Sequence, residues 1–220
     1  MNTDQARFNM VEQQIRPWDV LDPEVLSLLF EVKREDFVPA AYQSLAFADI
    51  EIPLAHGQRM MTPKMEARIV QEVTPQSADR VLDVGTGSGY LAALLARKSR
   101  HVTTVELHAD LADAARARLA RAGMTNVTVT QGDAACAQAA AVGSDAYDVI
   151  VLGGSTPMLP PRFLELLAPG GRLFAVVGDA PVMVGCLYEK DRDGSLVRAE
   201  IFDTVLAPLV NCLEPQRFAF

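Results

Sequence analysis

A glycine-rich stretch is the part of the sequence with the clearest chemical meaning. Residues 81–90 read VLDVGTGSGY, an apolar run followed by Gly85, Gly87 and Gly89. This pattern predicts a strand, a tight turn and the start of a helix, and the missing side chains let a ligand approach the backbone closely. A dinucleotide fingerprint would place its third glycine where Tyr90 stands. The loop therefore predicts a nucleotide-like ligand, and a dehydrogenase is the less favoured functional alternative. The alternative without a ligand is that the loop is an ordinary strand-to-helix turn.

Two carboxylates follow the loop at the ends of later apolar runs. Glu106 lies about 20 residues past the loop, where an acidic side chain can accept hydrogen bonds from both hydroxyls of a ribose. Asp133 follows Gly132 and can accept a hydrogen bond from an exocyclic adenine amine. Taken alone, Glu106 would be interpreted as a solvated carboxylate in a loop, and Asp133 as a residue that caps a helix. Because open parallel sheets bind ligands at the carboxyl ends of their strands, the shared position predicts a crevice for an adenosyl group.

The elements that must position these residues form an alternating pattern from Arg80 onward. Short β-branched runs alternate with alanine-rich helical stretches, which predicts an α/β fold with a Rossmann-like, doubly wound, mostly parallel sheet. A turn at 191–194 between two apolar runs adds a C-terminal antiparallel hairpin. Gly123 ends a helix that carries leucine and alanine at helical spacing. The predicted strands of the sheet are residues 81–84, 101–105, 127–130, 148–152 and 172–177.

The N-terminal third is predicted to be a helical cap on this sheet. Asp22 and Pro23 supply an N-cap and a first-turn proline, and Thr62 with Pro63 repeats the arrangement before a second helix. An earlier helix is expected around Val11, and residues 37–62 are expected to be irregular. We predict one domain over 1–220, with 1–75 as an N-terminal helical lid segment and 76–220 as the ligand-binding core.

Composition narrows the classes of partner and cofactor. The formal net charge of −8 opposes binding to a phosphate backbone, so no nucleic-acid partner is expected. No apolar run approaches the roughly 18 residues that would cross a bilayer, and the first ten residues are polar, which predicts a cytoplasmic protein without a membrane partner. Cys136, Cys186 and Cys212 are too widely spaced to predict a disulfide framework or a zinc site, and no metal is expected.

Longer motifs resemble known enzymes. VLDVGTGSGYLAALLA, TTVE, NVTVTQGDA and LLAPGGRL are similar to successive motifs of class I S-adenosylmethionine-dependent methyltransferases, over residues 80–177. MVEQQI, VLDPEVLSLLFEVKREDFVP, IPLAHGQ and EIFDTVLAPLV resemble, more narrowly, the protein-L-isoaspartate O-methyltransferases. The resemblance implies S-adenosyl-L-methionine as cofactor and methylation of a carboxylate of damaged aspartyl residues, as in protein repair. The implied partner is an isoaspartyl-containing peptide or protein.

The resemblance also implies roles for individual residues. The glycine loop would hold the amino-acid portion of the cofactor, Glu106 with Leu107 its ribose, and Asp133 with Ala134 its adenine. The implied residues of the glycine loop are Asp83, Gly85, Thr86, Gly87 and Gly89.

The catalytic loop departs from the family pattern. The family segment reads GQTISQP, whereas this chain reads GQRMMTP, so that Met61 stands in place of the serine that the family is regarded as needing. A thioether cannot donate a hydrogen bond, and Thr62 is the nearest hydroxyl. Helix capping is the favoured role for Thr62, and a catalytic role is the alternative. His56, Gly57, Gln58 and Arg59 are predicted to form the substrate loop.

Further residues near the expected acceptor site either carry charge or differ from the family pattern. His56, Arg59, Lys64 and Arg68 are expected to make the region around the loop positive, which would attract an acidic acceptor peptide. A solvated helix face is the favoured alternative for Lys64 and Arg68. The family's small-residue turn after the fourth strand corresponds to residues 153–155, GGS, and a family threonine is replaced by Val210.

The substitution at Met61 leaves two alternatives open. The chain is either a methyltransferase of the same fold with a different, small-molecule acceptor, or a non-catalytic module that binds S-adenosylmethionine. Activity on a metabolite panel would distinguish the first alternative, and cofactor binding without methyl transfer would distinguish the second. The oligomeric state is not predicted.

Overall fold

A seven-stranded sheet forms the centre of the fold in the computed structural model, which describes residues 2–135, 142 and 146–215. The strands of this sheet are β3 (Arg80–Val84), β4 (His101–Glu106), β5 (Val127–Gln131), β6 (Tyr147–Thr156), β7 (Leu167–Asp179), β8 (Val182–Lys190) and β9 (Leu196–Thr204). Two shorter strands form a separate pair, β1 (Ile52–Pro53) and β2 (Arg59–Met60). The helices are α1 (Thr3–Met10), α2 (Pro23–Glu31), α3 (Pro63–Val73), α4 (Tyr90–Lys98), α5 (Ala109–Arg121) and α6 (Pro161–Glu165).

The strand order of the sheet is β5-β4-β3-β6-β7-β8-β9. The pairs from β5 to β7 are parallel, and β7, β8 and β9 pair antiparallel. The chain winds outward from β3 to β5 and then returns to the other side of β3 at β6. The point between β3 and β6 is thus a topological switch point, where open parallel sheets form a ligand crevice. The predicted Rossmann-like sheet with a C-terminal antiparallel hairpin is confirmed.

The central parallel strands β3 and β6 are buried on both faces and are rich in apolar residues, whereas the edge strand β5 is partly exposed and alternates valine with polar residues. Successive residues of β3 point to opposite faces: Val81 packs with the N-terminal helices and α4, and Leu82 packs in a second cluster that contains Phe163 of α6. The N-terminal segment therefore covers one face of the sheet and shares its core.

The predicted N-cap residues lie at the starts of α2 and α3, but only one of them makes a capping hydrogen bond. The Asp22 carboxylate accepts hydrogen bonds from the backbone N–H groups of Glu24 and Val25, as an N-cap does. Thr62 occupies the N-cap position of α3, but its side chain makes no capping hydrogen bond. Val11 begins a π-helical turn that continues α1 to Ile15. Residues between 37 and 62 form short 3-10 turns and the β1–β2 pair, in agreement with the predicted irregular structure.

The largest departure concerns the residues after the fourth predicted strand. GGS at 153–155 was expected to form a turn, but the three residues lie inside β6, which continues to Thr156. The register between β6 and β7 shifts between Val151 and Ser155. The two glycines make this extension possible, because the strand runs close to neighbouring chain segments there. Cys136 lies outside the described residues.

Candidate functional site

A cleft with about 730 Å³ of empty space opens at the carboxyl ends of β3, β4 and β5 beside β6. Six of its lining residues follow or end these strands at the positions predicted for the cofactor: Gly85, Gly87, Glu106, Leu107, Asp133 and Ala134. Its remaining lining residues are Glu51, Gln58, Arg59, Val84, Val105, His108, Gly132, Ala135, Gly153, Gly154, Leu206, Ala207, Pro208, Leu209 and Val210. We name it the glycine-loop cleft.

The glycine loop needs its glycines for two different reasons. Gly85, Gly87 and Gly89 have φ values of 96°, 52° and 89°, in the left-handed region that residues with a Cβ avoid. Gly153 faces the loop from β6, and a Cβ added there would lie 2.9 Å from the carbonyl oxygen of Gly85. Because neither residue has a side chain, the backbones of Gly153 and Gly85 come close together at the switch point. A closely held ligand needs such backbone without side chains.

The Glu106 side chain joins the loop to the end of β4. Its Oε2 accepts a hydrogen bond from the N–H of Gly87 at 2.9 Å, and its Oε1 accepts one from the N–H of His108 at 3.1 Å. The residue is only 5% exposed and lines the cleft, so its remaining acceptor capacity faces the cleft rather than bulk water. The solvated-loop alternative for Glu106 does not describe this environment.

The carboxylate of Asp133 is held by a residue that the sequence did not indicate. Oδ1 accepts from the N–H of Ala135 at 3.0 Å, as in a local turn, and Oδ2 accepts from the side-chain amide of Asn211 at 2.7 Å. The contact with Asn211 joins the C-terminal segment to the end of β5. Asp133 therefore lies on the cleft wall in a fixed orientation.

Three of the predicted cofactor-binding residues lie behind the loop and do not line the cleft. Asp83 is 1% exposed, and its Oδ2 accepts a hydrogen bond from the Thr104 hydroxyl at 2.7 Å. The Thr104 oxygen is 2.6 Å from the hydroxyl of Thr86, so a chain of hydrogen bonds leads from β3 into the turn. Gly89 caps α4 and faces α5, where a Cβ would touch Leu119. These residues support the loop from behind.

Burial raises the pKa of Asp83 to about 7, opposed by the hydrogen bond from Thr104 and assisted by the negative charge of Glu106. Its Oδ1 is buried without a hydrogen-bond partner among the described residues. The ionised form of Asp83 is therefore disfavoured in the folded protein.

Asp83→Asn is expected to change how stability depends on pH. The folded pKa lies above the ordinary value of 3.8, so the native state holds the proton over a range in which the unfolded state has lost it. Wild-type stability is therefore lost as pH rises from about 4 to about 7, and the variant lacks this loss. Urea unfolding at about pH 4.5 and about pH 8 should show the variant gaining on wild type by more than ~1 kcal/mol. The exposed control Asp203→Asn should show no such gain, and a relative loss for Asp83→Asn would contradict the assignment.

Residues 206–210 also line the cleft, and of these the sequence placed only Val210 near the acceptor, through the family resemblance. Ser155 is fully buried, and its hydroxyl donates to the carbonyl of Leu206 at 2.7 Å. Backbone hydrogen bonds from Ser155 to Ala207 and from Leu209 to Ser155, both 2.9 Å, fix this segment along the end of β6. A Cβ on Gly154 would lie 2.9 Å from a methyl group of Leu209. The glycines at 153 and 154 were the signal that could have predicted the close approach.

The predicted substrate loop covers the glycine loop. Leu54 would meet a Cβ on Gly87 at 3.4 Å, and Gln58 and Arg59 line the cleft. The His56 ring stacks on His108 with centroids 4.1 Å apart, and its Nε2 lies 2.8 Å from Asp110. The hydrogen bond with His56 lowers the pKa of Asp110. His56 and Gly57 are not on the cleft wall; they hold the loop against the start of α5.

A second, smaller pocket with about 470 Å³ of empty space adjoins the cleft. We name it the Trp18 pocket, and its lining residues are Trp18, Glu51, Met61, Thr62, Lys64, Met65, Thr204, Val205 and Leu206. Glu51 and Leu206 line both cavities, so the two are neighbours. Both predicted catalytic positions, Met61 and Thr62, are thus placed in this pocket and not in the cleft.

The basic residues near this pocket are paired. Lys64 Nζ lies 2.6 Å from Asp49 and above the Trp18 ring. Arg68 has a side chain only 15% exposed and bonds Glu72 at 2.5 Å. The favoured expectation of a solvated face is therefore wrong for Arg68, which packs over Phe202.

The parallel sheet, its glycine loop and the two carboxylates around one crevice define a class I S-adenosylmethionine-dependent methyltransferase. The chain belongs to the protein-L-isoaspartate(D-aspartate) O-methyltransferase family, whose model matches residues 5–214. Members of this family are methyltransferases that use S-adenosylmethionine.

Individual relatives agree with this membership. The chain is 36% identical over 205 residues to a protein-L-isoaspartate O-methyltransferase of Koribacter versatilis, covering 93% of the chain and 90% of the relative. It is 42% identical over 169 residues to one of Rhodopseudomonas palustris, covering 77% and 76%. A Plasmodium falciparum structure described as such a methyltransferase, in complex with S-adenosyl-L-homocysteine, superposes with a TM-score of 0.80 at 20% identity, covering 96% of this chain and 99% of the other.

Within the described residues, no group of three or more His, Cys, Asp or Glu side chains is arranged to hold a metal ion. None of the helices in the described part of the chain has the length and apolar character that crossing a membrane requires.

Proposed function

We propose that this chain transfers a methyl group from S-adenosylmethionine to the carboxylate of isoaspartyl residues in damaged proteins. The observation that carries the proposal is the pairing of two adjacent cavities: a glycine-loop cleft suited to an adenosyl group and the Trp18 pocket beside it. Family membership supports the acceptor, since the relatives are named for methyl transfer to isoaspartate.

The residues of the cleft fit this cofactor. Gly85 and Gly87 line the cleft without side chains of their own, the carboxylate of Glu106 is buried but keeps acceptor capacity, and Asp133 is held on the wall. We assign the amino-acid portion of the cofactor to the glycine loop, the ribose to Glu106 with Leu107, and the adenine to Asp133 with Ala134. When bound, S-adenosylmethionine supplies a methyl group made electrophilic by a sulfonium.

The chain does not need a general base for this reaction. A carboxylate with a pKa near ~4 is ionised at neutral pH and is already a nucleophile. The protein contributes alignment of the reacting groups and exclusion of water. The loop around Leu54 and His56, together with residues 206–210, encloses the cleft and serves both purposes.

Thr62 is the group that we assign to orienting the acceptor. Its hydroxyl makes no capping hydrogen bond at the start of α3, although the residue occupies the cap position. It lines the Trp18 pocket beside Met61, whose thioether cannot donate. A donor thus stands one position after the place of the family serine.

Thr62→Val tests this assignment, since valine keeps the shape of threonine and removes the hydroxyl. We expect kcat with an isoaspartyl peptide to fall about tenfold, with the dissociation constant of S-adenosylmethionine unchanged, because one hydrogen bond to a charged acceptor is lost. The control is Thr204→Val, which removes another hydroxyl from the same pocket and should leave kcat within about twofold. Equal effects of the two variants would argue against a specific role of Thr62.

The same assay separates the proposed function from its alternatives. Cofactor binding with methyl transfer to a small molecule but not to the peptide would indicate a different acceptor. Cofactor binding with no transfer to any acceptor would indicate a binding module.

We also propose a cytoplasmic, protein-repair role with a protein rather than a nucleic acid as partner. The net charge of −8 and the free thiols of Cys186 and Cys212 support it. Residues 1–220 are proposed to act as one methyltransferase domain, in which 1–75 form the lid segment and 76–220 the cofactor-binding core.

A further inference from the structure

The Trp18 pocket has an unexpected composition for a site that faces an anionic acceptor. Five of its nine lining residues are apolar: Trp18, Met61, Met65, Val205 and Leu206. This composition provides hydrophobic contact area beside the place where a carboxylate would react.

The charged residues of the pocket already have partners. Lys64 pairs with Asp49 at 2.6 Å, and Glu51 lies 3.5 Å from Arg59. Each of these two charged side chains already has an opposite charge beside it, so a charged side chain of a ligand would find no unpaired charge in Lys64 or Glu51 to offset its lost hydration.

The apolar walls are shaped by rigid and adaptable groups. The Trp18 ring is fixed against Phe202, with centroids 4.9 Å apart. Met61 and Met65 lie at the base, 7% and 5% exposed, and flexible thioethers adjust to side chains of different shape. Val205 lies at the rim and is 58% exposed.

We infer that the Trp18 pocket receives the side chain next to the methylated residue and selects apolar neighbours. This inference rests on the proposed function. The reacting carboxylate must face the glycine-loop cleft, which meets the pocket at Glu51 and Leu206. The adjacent residue of the peptide then lies against Trp18 and the two methionines, where burial of apolar surface is favourable. The enzyme would thus prefer damaged sites in apolar sequence contexts.

A set of isoaspartyl peptides that differ only in one neighbouring residue tests the preference. Leucine, phenylalanine, serine and lysine are placed in turn on each side of the isoaspartate. We expect kcat/KM for the leucine and phenylalanine peptides to exceed that for serine about tenfold on one side, mostly through a lower KM, with lysine poorest. The other side should show little dependence.

Val205→Asp tests whether this pocket is responsible. A carboxylate at the rim should reverse the order, so that the lysine peptide becomes better than the leucine peptide, because it now finds an opposite charge. The matched control is Val197→Asp on β9, where the valine is 53% exposed and does not line the pocket. It adds the same charge to the protein and should leave the order unchanged.

The outcomes separate this inference from the function on which it rests. No transfer to any isoaspartyl peptide would remove the proposed function. Transfer at equal rates to all peptides, or a preference that Val205→Asp and Val197→Asp alter equally, would overturn the pocket assignment while the function stands. A preference reversed by Val205→Asp alone supports it.

Discussion

Replacing Arg34 with methionine is expected to lower the free energy of unfolding by about 3–5 kcal/mol, because it leaves a buried carboxylate without its partner. Arg34 is 1% exposed and forms an ion pair with Glu66, which is 2% exposed. Burial lowers the pKa of Arg34 to about 10, so the guanidinium is still charged at neutral pH. The pair is thus ionic, and each member depends on the other.

The Arg34 guanidinium also holds the loop that contains the predicted catalytic positions. It donates to the carbonyl of Ala46 at 3.1 Å and to the carbonyl of Met61 at 2.6 Å. Removing it therefore leaves two carbonyl groups without their donors in addition to the carboxylate. We expect the loop around Thr62 to lose its fixed position together with overall stability.

Urea unfolding measures the effect of Arg34→Met, and two further variants calibrate it. Arg34→Met/Glu66→Met replaces the pair with apolar side chains and should recover more than half of the loss, since no charge is left buried. Arg16→Met removes an exposed ion pair with Glu12 and should cost less than about 1 kcal/mol. A similar small cost for Arg34→Met would show that the buried pair is not needed for stability.

Local patterns allowed the core of the fold to be predicted. The alternation of β-branched runs and alanine-rich stretches predicted the parallel sheet, because its central strands are buried on both faces and rich in apolar residues. Asp22 with Pro23 predicted the start of α2 through a capping interaction between close neighbours. The positions of Glu106 and Asp133 on one cleft wall followed from where parallel strands end.

Contacts between distant residues were beyond the reach of such patterns. Ser155 bonds a carbonyl 51 residues later, and Asp133 bonds a side chain 78 residues later. Neither contact has a spacing or period that a sequence reveals. The tilted contact of Trp18 with Phe202 and the pairing of Arg34 likewise depend on how the N-terminal segment packs on the sheet. The sequence therefore indicated the strand ends that line the cleft, but within residues 206–210 it indicated only Val210.

The difference between a local pattern and its three-dimensional contacts also explains why the predicted residues of the glycine loop divide into two groups. Gly85 and Gly87 line the cleft, whereas Asp83, Thr86 and Gly89 support the turn from behind. A motif reports that residues are needed together, but not which of them touches a ligand. The burial of Asp83 and its raised pKa follow from that supporting position.

Glu106→Gln is expected to weaken binding of S-adenosylmethionine about 100-fold, because it affects the loop and the ligand together. The carboxylate accepts from the N–H groups of Gly87 and His108, and an amide has only one oxygen with which to replace these two acceptors. One backbone donor then faces an NH₂ group, and the proposed acceptor for the ribose hydroxyls loses its charge. Calorimetric titration with S-adenosylmethionine measures the change. The control is Glu200→Gln, the same substitution at an exposed position, which should bind S-adenosylmethionine with wild-type affinity. An unchanged affinity for Glu106→Gln would mean that the cofactor does not depend on this end of β4.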